Sequence, residues 1–404
     1  MNIQQAMKMQ PVSEANALCS QGPLSVRPYC DPDWWELERK AIWLRTWIHV
    51  GHVCELPEPG SFVRREIEFA NASLLIIRGK DGVIRTFHNV CTHRGAQLTQ
   101  EPCGKRSTFS CPYHMWTFGT DGSLLSAPDF EQFDLDKSEV GLTPVATDVA
   151  AGMIFINFDP QPKESLRDFL GPLAEVLETL PVARAVDFTE VTYEIAANWK
   201  TNFDNFQENY HLRFIHPASY WPTAGPDNPF GYASHYGFSG PHRGQILQPN
   251  PTPPRPASIH VQGFTPAADL MRKDGVNFPK TDMKLFPAIH TVALPPLQHF
   301  TQTMYPLGPN RTRCVIRMYW TSKLDCASRA FFEEVASTTL CDVLTEDRRS
   351  VEASQRGMES GAIKHIHFQK HEVMLRHMYG EVQARVAAYL AECEGNAGIR
   401  GEAA

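Results

Sequence analysis

Apolar positions along this chain change rhythm several times, and each change marks an element. Residues 31–47 (DPDWWELERKAIWLRTW) place large apolar side chains at helical spacing behind Asp31, a capping residue, and Pro32, which suits a first helical position. From 48 to 158 the rhythm shortens to strand-sized runs between turn signals: SFVRREIEF, SLLIIRG, the turn Lys80-Asp81-Gly82 and VIRTFHNV. That texture predicts a small antiparallel β-domain. Ser165 then opens a helix with Leu166, Phe169, Leu170, Leu173, Val176, Leu177 and Leu180 at helical spacing. Residues 188–196 alternate as a strand, residues 198–216 return to helical spacing, and the runs flanking Gly308-Pro309-Asn310 read as a β-hairpin. Pro and Gly crowd residues 221–256, which suits a long ordered loop or lid. Two helices follow, at about 328–359 and about 369–392. The organisation is α+β. An N-terminal segment whose helix packs on the last domain (1–47) precedes a β-rich domain (48–158) and a domain of antiparallel sheet and long helices (159–404).

Composition narrows the function. The 404 residues are 42% hydrophobic and 21% charged, enough to build real cores. A formal charge of −7 lacks the basic excess of a nucleic-acid binder. No apolar run approaches the ~18 residues of a membrane span, and the N-terminal MNIQQAMKMQPVSEANALCSQG has no apolar signal segment. A cytoplasmic location, with no nucleic-acid or membrane partner, is expected. Ten cysteines are too sparse for a disulfide scaffold.

Only two of those cysteines sit beside patterned histidines. Cys91-Thr92-His93-Arg94-Gly95 and Cys111-Pro112-Tyr113-His114 each offer one thiolate and one imidazole. Four such ligands hold either zinc or a two-iron cluster. The mixed pairs Cys-x-His and Cys-x-x-His suit a [2Fe–2S] cluster in which Cys91 and Cys111 hold one iron while His93 and His114 hold the other.

A second constellation lies in the helical stretch. Trp199, Phe203, Phe206, Tyr210 and Phe214 form an apolar stripe, with Asp204, Glu208 and His211 beside it. His216 falls five residues after His211, where a continuous helix would turn it away. Pro217 disfavours αR at the residue before it, so the helix should loosen there and bring the two imidazoles together. Two histidines plus one carboxylate leave open positions on a non-haem Fe(II). For the carboxylate, Leu340, Leu344, Asp347, Val351, Ser354 and Met358 share one helical stripe, which places Asp347 on the core side. Glu346 shares its side with Asp342, Arg349 and Ser350. A charge on an apolar stripe needs a partner or a metal. His365, His367, His371 and His377 read as ordinary helix or surface histidines.

CTHRG…CPYHMW resembles the Rieske signature, and the second stretch resembles the catalytic domain of the Rieske non-haem iron oxygenases, the oxygenase (alpha) subunits of the aromatic-ring-hydroxylating family. The resemblance covers about residues 40 to 358. It implies a Rieske-type antiparallel β-domain followed by a helix-grip catalytic domain. It also implies a [2Fe–2S] cluster on Cys91, His93, Cys111 and His114, and a mononuclear Fe(II) on His211, His216 and Asp347. Glu208 would be the acid bridging the two centres, facing His114 of the next subunit in a ring-shaped homotrimer, with or without a β-subunit. Electrons would come from NAD(P)H through a separate reductase, with or without a ferredoxin, because the chain has no GxGxxG loop. The first expectation is O2-dependent hydroxylation, chiefly ring dihydroxylation, of an aromatic or similarly apolar compound. The alternative is a monooxygenase or oxidative demethylase for a polar or quaternary-amine substrate. A reading from another class is a Rieske electron carrier without oxygenase activity. Met115 stands where the family usually has Gly or Ala. A side chain there argues against a positive φ and predicts altered packing beside intact ligands.

Overall fold

Contacts divide the chain into two compact units, residues 43–169 and a composite of 1–42 with 170–404. The computed structural model describes residues 2–216, 227–247, 281–294, 298–321 and 327–401. Set against borders expected at 47/48 and 158/159, the smaller unit gains residues at both ends. Trp43 packs its ring on Phe69, and the Trp47 indole donates to the Glu164 carbonyl.

In the smaller unit, alternating strands build a seven-stranded antiparallel sheet. Its order is Ile48–His52, Met153–Asn157, Pro144–Ala150, Ile84–His88, Ala72–Arg78, Ser61–Ile67, Cys103–Lys105. A three-stranded sheet of Leu124–Ser126, Thr117–Gly119 and Thr108–Ser110 accompanies it. Phe62, Leu75, Ile77, Phe87, Phe109 and Phe118 form a core that also contains Cys91, Cys111 and Trp116.

The larger unit is a helix-grip arrangement around an eight-stranded antiparallel sheet. The order is Gln10–Pro11, His235–Ser239, His242–Ile246, Thr281–Leu285, Ile289–Leu294, Gln298–Gly308, Arg311–Trp320, Asp187–Ile195. The hairpin around Gly308-Pro309-Asn310 and the strand at 188–196 are both present. Part of the expected 221–256 loop is instead the hairpin 235–246, turned at Gly240 with φ 55°. Residues 227–234 lead into it as turns and irregular chain, while 221–226, 248–256 and Pro217 lie outside the described residues. The last two helices run Ala327–Glu359 and Val373–Gly401.

Three expected helices are broken. Asp31 does cap Pro32–Glu38, accepting from the Asp33 amide, but the chain then widens into a π-turn at Arg39–Trp43. The helix opened by Ser165 divides into Leu166–Leu170 and Leu173–Glu178 around Gly171-Pro172, with every named apolar position buried. The helix that begins at Trp199 ends at Asp204, where the amides of Phe206 and Gln207 bond three residues back. Beyond it the Glu208 carboxylate captures the amides of Tyr210 and His211, a side-chain competition that blocks the helical ladder. Only Leu212–Ile215 is helical again. The aromatic stripe accordingly splits, with Trp199 and Phe203 buried and Tyr210 and Phe214 exposed.

Candidate metal centres

The first donor set sits on two loops with one backbone design. In each, the cysteine carbonyl accepts from the amide four residues on (Gly95 to Cys91, 2.9 Å; Met115 to Cys111, 3.0 Å). The cysteine amide donates five residues on (Cys91 to Ala96 and Cys111 to Trp116, both 2.8 Å). Such a turn needs a positive φ at its fourth step, supplied by Gly95 at 78° and by Met115 at 59°. The expectation that Met115 avoids that region is therefore wrong. The loop geometry imposes it, and the side chain is tolerated because it points outward, 57% exposed. The left-handed region costs an L-residue about 1–2 kcal/mol, against roughly 0.5–1 kcal/mol of extra chain entropy lost by glycine. Met115→Gly is expected to stabilise this unit by about 0.5–1 kcal/mol, read as a raised unfolding midpoint with an unchanged cluster signal in electron paramagnetic resonance.

Cys91 and Cys111 are both buried, and burial together with the neighbouring Cys111 thiol pushes Cys91 up. His93 and His114 stand with ring centroids 4.6 Å apart. The Nδ1 atoms of both imidazoles are buried without a hydrogen-bond partner, an arrangement that costs free energy unless something else fills the role. Desolvation, His93 and Arg94 lower the His114 pKa, which favours the neutral, ligating form. Two close thiols and two orphaned imidazole nitrogens fit a mixed Cys/His iron–sulfur cluster. Trp116 stacks on His93 at 4.9 Å, and Tyr113 lies against His114 at 3.8 Å, fixing both rings.

The second donor set is assembled by packing in the larger unit. The helix Ala327–Glu359 buries Leu344, Asp347, Val351, Gln355 and Met358. Ser354, expected on this stripe, is exposed, and Gln355 takes its place. The Gln355 Oε1 accepts from the Asn198 amide (3.0 Å) and the Thr201 hydroxyl (2.8 Å), and its Nε2 donates to the Tyr29 carbonyl (3.0 Å). Val351 packs on Ile195 and Ala197. Anchored in this way, the helix presents Asp347 two turns nearer its N-terminus. His211, His216 and Asp347 converge, each offering one ligand atom with all three within 4.8 Å of one another. His216 Nε2 lies 2.8 Å from Asp347 Oδ1, and His211 Nε2 lies 3.6 Å from the same oxygen. Burial opposes a charge on His216, but hydrogen bonds to Asp347 and Glu346 outweigh it and raise the pKa. The donor set of two imidazoles and one carboxylate fits a two-histidine, one-carboxylate iron.

Glu208 also belongs here. Its Oε1 accepts from His211 Nδ1 at 2.5 Å, which leaves Nε2 to face Asp347. Sequence reasoning missed Glu346, whose Oε2 lies 2.6 Å from His216 Nδ1. It also missed a polar row across the sheet. Arg243, Lys284, His290 and Gln302 stand opposite one another on successive strands and are all buried. His371 stacks on Tyr232 at 4.0 Å and lies 3.2 Å from the Tyr236 hydroxyl, in keeping with an ordinary structural histidine. Among the described residues, no helix is long and apolar enough to cross a membrane.

Comparison with known proteins agrees with this layout. The family described as "Rieske [2Fe-2S] domain" matches residues 46–145, and "Ring hydroxylating alpha subunit (catalytic domain)" matches residues 182–388. A glycine betaine monooxygenase oxygenase subunit from Pseudomonas aeruginosa (strain UCBPP-PA14) is 37% identical over 189 residues, 47% of this chain and 43% of that protein. The matched stretch thus spans under half the length of that relative. A carnitine monooxygenase oxygenase subunit from Escherichia coli (strain K12) is 36% identical over 231 residues, 54% of this chain and 59% of that protein. The crystal structure of a quaternary ammonium Rieske monooxygenase in complex with gamma-butyrobetaine shares the fold, with a TM-score of 0.70 and 24% identity. It covers 92% of this chain and 99% of that one. With a Rieske domain leading into a ring-hydroxylating catalytic domain, the chain belongs to the Rieske non-haem iron oxygenase family, as an oxygenase alpha subunit.

Proposed function

We propose that this chain is the oxygenase component of a monooxygenase that hydroxylates carbon next to the nitrogen of a quaternary ammonium compound. Cys91, His93, Cys111 and His114 would hold the [2Fe–2S] cluster, and His211, His216 and Asp347 the mononuclear iron. When bound, these groups supply one-electron relay and dioxygen activation. The chain's own residues would orient the imidazoles, through Glu208 on His211 Nδ1, and shape the substrate space. A separate reductase would deliver the electrons. In a homotrimer Glu208 would also bridge to His114 of a neighbouring copy. A lone electron carrier would have no use for the second donor set.

One observation favours this substrate class over an aromatic hydrocarbon, and it is the buried polar row. Asp282 accepts from Gln245 Nε2 (2.7 Å), pairs with Lys284 and lies 3.0 Å from His290 Nε2. Burial alone would raise the Asp282 pKa, but Lys284 and His290 hold it below the usual carboxylate range. At one end of the row Gln302 donates to the Tyr193 hydroxyl at 3.1 Å. Burial, then Cys314 and Asp347, push the Tyr193 pKa well up. Phe206 and Phe300 flank His290, each with centroids 5.9 Å away. A hydrocarbon pocket wants an apolar wall. Charged groups beside aromatic faces suit a small zwitterion whose quaternary nitrogen rests on a π surface. The glycine betaine and carnitine monooxygenase subunits among the chain's relatives support the same substrate class, although a 2-aminobenzenesulfonate 2,3-dioxygenase is also similar.

The balance is simple. Substrate, O2, two electrons and two protons give the hydroxylated compound and water. The new N–C–OH centre then breaks its C–N bond, releasing a carbonyl compound, the amine and a proton. The test is O2 uptake by the reconstituted chain with a reductase, using glycine betaine, carnitine and naphthalene as probes. Uptake coupled to amine and aldehyde release with a betaine is expected. Uptake and diol formation with naphthalene alone would overturn the assignment.

A further inference from the structure

Both imidazoles at the second centre are gripped from behind by a carboxylate. Glu208 Oε1 sits on His211 Nδ1 at 2.5 Å, and Glu346 Oε2 sits on His216 Nδ1 at 2.6 Å. The two grips come from different elements. Glu208 is three residues before His211 in the broken helical stretch, whereas Glu346 immediately precedes Asp347 on the long helix. We infer that Glu346 is the positioning residue for His216, holding that imidazole with Nε2 turned to the shared metal position.

A neutral imidazole carries one N–H, and a carboxylate can only accept from it, so Glu346 selects the tautomer protonated on Nδ1. Nε2 then lies 2.8 Å from Asp347 Oδ1. In the metal-free chain a proton on Nε2 bridges to Asp347, and a bound cation would replace that proton while Glu346 keeps its hold on Nδ1. Neighbouring backbone does not impose this orientation. His216 has φ −116° and ψ 44°, outside helical geometry, at the end of the four-residue helix Leu212–Ile215. Because one helical step supplies both a ligand and an orienting acid, Asp347 and Glu346 embrace His216 together. The Glu346 side chain is 35% exposed while that of His216 is 1% exposed. Glu346 can therefore be replaced without opening a core.

This inference rests on the reading of His211, His216 and Asp347 as metal ligands, and the experiment separates the two. The mononuclear site of the full chain is emptied with a chelator, and Fe(II) is titrated back without oxygen and followed by calorimetry. If the unaltered chain binds no Fe(II), the ligand reading fails. If it binds, Glu346→Ala should weaken binding by about 10–100-fold, the usual cost of removing a group that orients a ligating histidine. Glu346→Gln keeps an acceptor oxygen on Nδ1–H and should stay within about threefold of the unaltered chain. A purely structural role would instead lower the unfolding midpoint of the metal-free chain and leave Fe(II) affinity alone. Unchanged affinity in Glu346→Ala, or equal loss in both variants, overturns the inference.

Discussion

Asp347→Ala will leave the chain with two irons in place of three and without measurable oxygenation, while its Rieske signal persists. The reason is the position of Asp347 at the crossing of two demands. Among the described residues it is the carboxylate that faces both Nε2 atoms, 2.8 Å from His216 and 3.6 Å from His211. It also lies on the buried stripe of the long helix between Leu344 and Val351. Losing it leaves two neutral nitrogens to hold a hard divalent cation, so the loss of affinity should exceed the roughly 10–100-fold cost of disturbing an outer partner. The fold should survive, because Gln355 and Val351 dock the helix independently. Iron analysis and O2 uptake with reductase are the measurements. Full iron and turnover in the variant would remove Asp347 from the ligand set.

How far the sequence discloses this site depends on the range over which each feature is decided. The Cys91/His93 and Cys111/His114 loops are legible because each ligand pair lies within four residues, where turn geometry acts alone. Asp347 is legible because helical period separates it from Glu346. The same period misplaces Ser354, since the buried position is taken by a polar residue, Gln355, whose amide is satisfied by Asn198, Thr201 and Tyr29 from distant parts of the chain. An apolar pattern cannot anticipate a polar residue that is buried because it is fully bonded. Glu346 escapes for a related reason: its role exists only once His216 arrives above the helix. The strand Thr281–Leu285 is the clearest case. Its polar alternation, Asp282 and Lys284 with Met283 between, ordinarily marks a solvated face, yet all five residues are buried. Tertiary pairing with Gln245 and His290 makes that burial affordable, and the sequence offers no local sign of it.

Lys200→Met should destabilise the larger unit far more than a surface substitution, by about 3–5 kcal/mol. Lys200 and Glu38 are fully buried and bonded at 2.6 Å. Glu38 also accepts from the indoles of Trp34 and Trp199, each at 2.9 Å. This cluster ties the helix Pro32–Glu38 to the helix Trp199–Asp204, just ahead of the stretch that carries His211. Burial raises the Glu38 pKa and lowers that of Lys200, so each ion depends on the other to remain charged. Removing the ammonium alone strands a carboxylate in a site without water, and the chain must protonate it or open. At roughly 2–4 °C per kcal/mol for a unit of this size, the melting midpoint should fall by about 10 °C. The loss should also steepen with rising pH, because a stranded acid of raised pKa is progressively harder to keep neutral. Glu38→Gln combined with Lys200→Met removes both charges and retains an acceptor for one of the two indoles, so it should recover part of the loss. A double-mutant cycle by calorimetry measures the coupling. If the single and double variants melt together, the pair contributes packing alone and the predicted charge dependence is absent.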